Sequence, residues 1–140
     1  MANTFHVSLN VKSIPDAIAR YRRILGAEPA KVREDYAKFE LADPPLILSL
    51  NLGGTPGTVG HLGIRYPEPT TVAAELQRAE ADSLEPFRQD GVTCCYAKAD
   101  KFWVHDSDGV AWEMYSVIAD AEPERAPEQR PTASGCGCGA

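Results

Sequence analysis

The sequence predicts an α+β fold made of two βαβββ modules that pair their sheets around one cavity. Three observations carry the prediction. The same order of strand-like and helix-like segments occurs twice within residues 1–118, His6 and His61 stand at matching places in the first strand of each half, and each half closes on two strands joined by a turn signal. A chain of 140 residues has room for one domain, or for two half-domains that share a core.

The first module spans about residues 3–52. "FHVSLNV" (5–11) alternates and reads as a strand. Ser13 then caps a helix with Pro15 in its first turn, Ile14, Ala17, Ile18, Tyr21 and Ile24 at helical spacing, and Gly26 as its stop. "DYAKFEL" (35–41) and "LILSLNL" (46–52) read as strands on either side of the Asp43-Pro44-Pro45 break. The second module, about 58–118, repeats the order: "GHLGIRY" (60–66), then a helix from about Thr71 to Ala81 with Val72, Leu76 and Ala79 on one side. It closes with "KFWVH" and "AWEMYSV" around the turn Asp106-Ser107-Asp108-Gly109. Between helix and closing strands, "DGVTCCYAKAD" lacks sustained alternation and reads as an irregular loop entered through Asp90-Gly91. Residues 119–140 hold three prolines, many charges and no large apolar side chain, so this end is expected to form a disordered tail carrying Cys136 and Cys138.

Composition narrows the function. Fourteen Lys and Arg stand against 20 Asp and Glu, a net charge of −6 and a pI near 5.0, which disfavours a nucleic-acid partner. No apolar run reaches the roughly 18 residues a membrane helix needs, and the start lacks the features of a signal peptide, so a cytoplasmic protein is expected. The four cysteines form two tight pairs, Cys94 with Cys95 and Cys136 with Cys138. In a reducing compartment that pattern points to thiolate chemistry or soft-metal binding more than to a disulfide scaffold.

Strand parity brings out a candidate metal site. Val7, Leu9 and Val11 mark the helix-packed face of the first strand, so His6, Ser8 and Asn10 take the other. The same parity places His61 with Gly63 and Arg65, and Glu113 with Tyr115 opposite Trp112 and Met114. Three residues from three strands thus converge on one cavity, unless each histidine is simply a satisfied core or surface side chain. Two imidazoles and one carboxylate form the set that suits Fe(II) with three open positions, and they accept Ni(II), Co(II) or Zn(II) as well. Aligning the aspartates that precede the last strand of each module sets Leu48 opposite Glu113, so no fourth protein ligand is expected there. His105, beside the turn, reads as a surface residue, and Asp106 and Asp108 as turn residues.

Two βαβββ modules with His6, His61 and Glu113 so placed resemble the vicinal oxygen chelate superfamily, which includes glyoxalase I, extradiol dioxygenases and bleomycin-resistance proteins. Within it, "DYAKFEL", "PPLILSLN", "HLGI", "TCCYAKADKFWV" and "DSDGVAWE" resemble the carbon-arsenic lyases and their cadmium-induced relatives. The resemblance covers residues 3–118. It implies Fe(II)- and O2-dependent release of arsenite from trivalent methyl and aromatic arsenicals, with His6, His61 and Glu113 as iron ligands and Cys94 and Cys95 as arsenical-binding thiols. Ser107 and Val110 depart from the commoner pattern, which has Pro and Asn there.

The chemistry of the thiol pair agrees with that implication. A monoalkyl or monoaryl arsenical has two exchangeable oxygens, so two soft thiolates replace both while the carbon substituent stays attached. Adjacent residues of a regular strand face opposite ways, so chelation of one atom requires irregular backbone at Cys94-Cys95. Lys98 or Lys101 would lower the thiol pKa values, or else serve as solvated surface charges. Tyr96, Tyr115 and Lys101 are candidates for orienting the ligands or moving protons. Cys136 and Cys138 would bind or hand over arsenic or cadmium, or else be incidental thiols. The expected partner is a small trivalent organoarsenical, acted on by a monomer or homodimer. The competing readings are sequestration of cadmium or arsenite without turnover, and a different dioxygenase or a glyoxalase-type isomerase; neither of the latter explains Cys94-Cys95.

Overall fold

A computed structural model describes residues 2–94 and 97–120 of the chain. In the first half β1 (Thr4–Val11) leads into α1 (Ile14–Leu25), followed by β2 (Lys31–Val32), β3 (Tyr36–Ala42) and β4 (Pro45–Leu52). The second half repeats the order with β5 (Val59–Arg65), α2 (Pro69–Ala81), β6 (Phe87–Cys94), β7 (Ala97–His105) and β8 (Ala111–Asp120). The eight strands form one mixed sheet in the order β2-β3-β4-β1-β5-β8-β7-β6. Read outward from the centre, each half has the same arrangement: its first strand pairs in parallel with its last, and the remaining two follow as antiparallel neighbours. The halves meet where β1 and β5 pair antiparallel, with Ser8 opposite His61 and His6 opposite Gly63. No helix among the described residues is long and apolar enough to cross a membrane.

Both helices cover the same face of the sheet as the apolar strand positions. Ser13 Oγ accepts from the Asp16 N–H at 3.2 Å, Pro15 stands in the first turn, and Gly26 closes α1 at φ 65°. The buried stripe of α1 differs from the predicted one at its end. Ile24 is 61% exposed, and Leu25 instead joins Ile14, Ala17, Ile18 and Tyr21 against Phe39, Leu48 and Leu50. At about 100° per residue, position 25 returns to the azimuth of position 14, whereas position 24 lies a quarter turn away. Around α2, Val72, Leu76 and Ala79 pack with Tyr66, Phe102, Val104, Trp112 and Met114.

Two segments depart from the sequence reading. The short β2 goes unnoticed in the sequence, because two residues cannot display a period. Residues 90–94 and 97–100 belong to the paired strands β6 and β7, whereas the irregular backbone expected at Cys94-Cys95 falls partly outside the described residues. Gln89 faces Lys101 and Val92 faces Ala99, so Asp90 and Gly91 together oppose one residue, Asp100. The Asp-Gly pair is therefore absorbed as a bulge within a strand, and backbone pairing with β7 compensates for the missing side-chain alternation. Cys94 ends β6 opposite Ala97.

Candidate metal centre

The face of the sheet away from the helices is lined with polar side chains, yet it is the more deeply buried face of β1. Thr4, His6, Ser8 and Asn10 are buried, while Phe5 is exposed and Val7, Leu9 and Val11 only partly covered. Burial of so many hydrogen-bonding groups is costly unless they are paired. Most are: Asn51 Nδ2 donates to Ser8 Oγ at 2.6 Å, Ser49 Oγ lies 2.9 Å from His6 Nε2 and 3.3 Å from the Tyr36 hydroxyl, and the Tyr115 hydroxyl lies 2.8 Å from His6 Nδ1.

His6 from β1, His61 from β5 and Glu113 from β8 come together at the centre of this face, with one ligand atom from each within 4.8 Å of the others. Glu113 Oε1 lies 3.3 Å from His61 Nε2 and 3.6 Å from His6 Nδ1. Apart from that contact with Glu113, His61 Nε2 makes no hydrogen bond among the described residues although the side chain is 1% exposed. Gly63 makes the approach possible: a Cβ there would lie 2.5 Å from the Glu113 carbonyl oxygen, so only glycine lets β5 and β8 come this close.

The electrostatics favour ligation. Burial, and next the proximity of His61, push the His6 pKa down to about 3, so its imidazole is neutral. Burial alone would raise the Glu113 pKa, but the Lys101 ammonium foremost, and the two imidazoles after it, hold the carboxyl well below its usual range. Burial, and then the nearby Glu113 charge, raise the Tyr115 hydroxyl well above the ordinary tyrosine range. A neutral imidazole, a carboxylate and an unpartnered buried ring nitrogen facing one oxygen are what a divalent cation requires, and the donor set fits it.

Lys101 is 4% exposed with Nζ 2.5 Å from Glu113 Oε2, so the solvated-charge alternative does not hold. Leu48 is not the counterpart of Glu113: it packs with Leu50 on the helix side, while Ile47 and Ser49 take the cavity face, and Ser49 lies beside His6. The aspartate alignment fails because the turns differ in length. Ala42 pairs with Pro45 across Asp43 and Pro44 alone, whereas His105 and Ala111 pair across residues 106–110. Serine supplies no strong metal ligand, and among the described residues His6, His61 and Glu113 are the only such group.

His105 is exposed, and Asp106 Oδ1 accepts from the Asp108 and Val110 N–H groups as a turn residue. Cys94 lies at the end of β6; Cys95, Tyr96, Cys136 and Cys138 lie outside the described residues. Sequence reasoning missed Trp103 and Gln89. Trp103 is fully buried, its ring edge-on to that of His61 at 5.3 Å, and its Nε1 donates to Gln89 Oε1 at 3.0 Å. Strand parity could have found Trp103, two residues along β7 from Lys101.

One sheet built of two like halves, with two histidines and a glutamate that could hold a metal buried at their seam, is a domain of the vicinal oxygen chelate type. The chain belongs to the glyoxalase/bleomycin resistance protein/dioxygenase superfamily, whose model matches residues 4–114. It is 44% identical over 117 residues to the cadmium-induced protein CadI of Mycobacterium tuberculosis, covering 83% of this chain and 77% of that protein. It is also 44% identical over 120 residues to the trivalent organoarsenical cleaving enzyme of Bacillus sp. strain MD1, covering 84% and 74%. In fold it is similar to an extradiol ring-cleaving dioxygenase from B. fuscum, with TM-score 0.63, 16% identity, and coverage of 84% of this chain and 33% of that one. A Mn(II)-bound glyoxalase from Novosphingobium aromaticivorans gives TM-score 0.61 at 17% identity, covering 88% and 41%.

Proposed function

We propose that this protein cleaves the carbon-arsenic bond of trivalent organoarsenicals in an Fe(II)- and O2-dependent reaction that releases arsenite, as a cytoplasmic detoxification step. The observation that carries the reading is the pairing of two features. A His6, His61 and Glu113 set lies at the seam of the halves, and the sequence carries the adjacent thiols Cys94-Cys95, the first of which ends β6. The kinship with enzymes named for trivalent organoarsenical cleavage supports it.

Cys94 and Cys95 bind the substrate as a dithiolate: two thiols displace two hydroxyls from arsenic as water, and the organic group stays on arsenic. A reducing cytoplasm keeps both thiols available. Iron(II) held by His6, His61 and Glu113 would supply the redox chemistry through which O2 attacks a carbon-arsenic bond. His6 remains an unprotonated donor because burial disfavours its charged form; Ser49 at Nε2 orients its ring, and Nδ1, the nitrogen nearer Glu113, would exchange the Tyr115 hydroxyl for the metal. Trp103 holds the His61 ring and, fully buried, keeps water from that side.

The test is to load the reduced protein with Fe(II) under nitrogen, add a trivalent methylarsenical, admit O2 and follow inorganic arsenite. Oxygen-dependent arsenite release is expected from the native protein. Cys94→Ser and Cys95→Ser should abolish arsenical binding while iron binding survives; loss of iron in either variant would place the thiols in the metal site. The 44% identity to a cadmium-induced protein favours one second reading, sequestration without turnover. That reading prevails if fully loaded, reduced protein binds the arsenical and releases no arsenite.

A further inference from the structure

We propose that Lys101 sets how Glu113 meets a bound divalent cation: its ammonium occupies Oε2, so that the carboxylate offers the cation Oε1 alone and the place a second oxygen would take stays open to exogenous ligands. The inference rests on the reading of His6, His61 and Glu113 as metal ligands. Its basis is the division of labour between the two carboxylate oxygens. Oε1 is the oxygen near both imidazoles, at 3.3 Å and 3.6 Å, and Oε2 is the one held by Lys101 Nζ at 2.5 Å.

Lys101 is placed there with little freedom to leave. It is 4% exposed on β7, between β6 and β8, and its Nζ lies 5.8 Å from the centroid of the Trp103 ring. That ring is itself anchored by Gln89 and braced against His61. An ammonium beside a metal ligand repels the cation and costs metal affinity. Its presence therefore fits a site that gives up affinity in return for open positions and charge. Two neutral imidazoles, one carboxylate and one ammonium sum to zero, so a divalent cation leaves the site at +2 and anionic exogenous ligands are favoured. Lys101 is thus a positioning residue that acts through Glu113.

The test uses the full chain loaded with Co(II) under nitrogen, comparing the native protein with Lys101→Arg, Lys101→Met and Lys101→Gln. The readouts are the Co(II) dissociation constant, the visible Co(II) spectrum, which weakens as coordination number rises, and the dissociation constant for azide. Because removal of the ammonium's repulsion outweighs the lost orientation of the carboxylate, Lys101→Met is expected to bind Co(II) about tenfold more tightly, to lose visible intensity, and to bind azide about tenfold more weakly, while Lys101→Arg stays within about threefold of the native protein. If Lys101→Met does not fold, Lys101→Gln, which can still donate to Oε2 but carries no charge, must show the loss of azide affinity. Neutral variants that bind Co(II) no more tightly and azide no more weakly than the native protein, within about threefold, would overturn the inference and leave Lys101 as a counter-ion of a buried carboxylate. Failure of the native protein to bind Co(II) would instead overturn the metal reading itself.

Discussion

Glu113 is the residue on which the site turns, since it touches both histidines through one oxygen and Lys101 through the other. Replacing it with glutamine leaves the Lys101 ammonium buried without its carboxylate, and breaking such a pair costs about 3–5 kcal/mol. Glu113→Gln should therefore both lower the denaturation midpoint of the metal-free protein and weaken cation binding beyond the roughly 10–100-fold typical of losing an outer partner, as read by calorimetric titration. Gly63→Ala should displace the Glu113 backbone and lose the cation with every ligand side chain still present, because the added Cβ meets a carbonyl oxygen at 2.5 Å. His6 predicts the pH dependence. The unfolded chain takes up a proton at this position near 6.5, the folded chain only near 3, so between those values the unfolded state binds more protons. Its contribution to stability is complete above about pH 6.5 and is lost as pH falls toward 3, measurable as a falling denaturant midpoint of the metal-free protein. At this scale His6, His61 and Glu113 were legible in the sequence, because alternation assigns a face to each. Lys101 was not, since only the register shows that its charge lies against a carboxylate.

Among the elements, β6 and β7 link the candidate metal site to Cys94. At one end Lys101 and Trp103 touch Glu113 and His61, with Gln89 holding Trp103, and at the other end β6 closes on Cys94. The bulge at Asp90-Gly91 lies between, and it shifts the register of the remainder of β6 against β7. Deleting Gly91 would remove the extra residue and shift the backbone register of β6 beyond it against β7. The expected outcome is a protein that binds Co(II) as the native chain does and binds no trivalent arsenical, checked by parallel titrations. Helix α1 offers a simpler measurement: Ser13→Ala removes the acceptor of the Asp16 N–H and should cost about 1 kcal/mol without touching the cavity. Sequence periodicity revealed both helices and the long strands. It mistook the Asp-Gly bulge for a turn, because the residues that relieve a bulge are the same ones that make a turn.

On the scale of the whole molecule, the site exists only because the halves pair. His6 belongs to the first half and His61 and Glu113 to the second, and the antiparallel seam of β1 and β5 brings them together. Residues 1–55 and 56–140, produced as separate chains, should each bind Co(II) at least about a hundredfold more weakly than the intact protein, since neither half supplies three ligands. The sequence by itself determined the doubled βαβββ order, the two histidines and the glutamate that could hold a metal, and the faces they take, because alternation and helical spacing are local properties of the chain. The tertiary structure alone decided that Ser49, not Leu48, takes the cavity face opposite Glu113, that Trp103 braces His61, and that Lys101 divides the carboxylate. Those outcomes depend on turn lengths and on register between strands distant in sequence, and register is fixed only when the strands pair and bury their faces together.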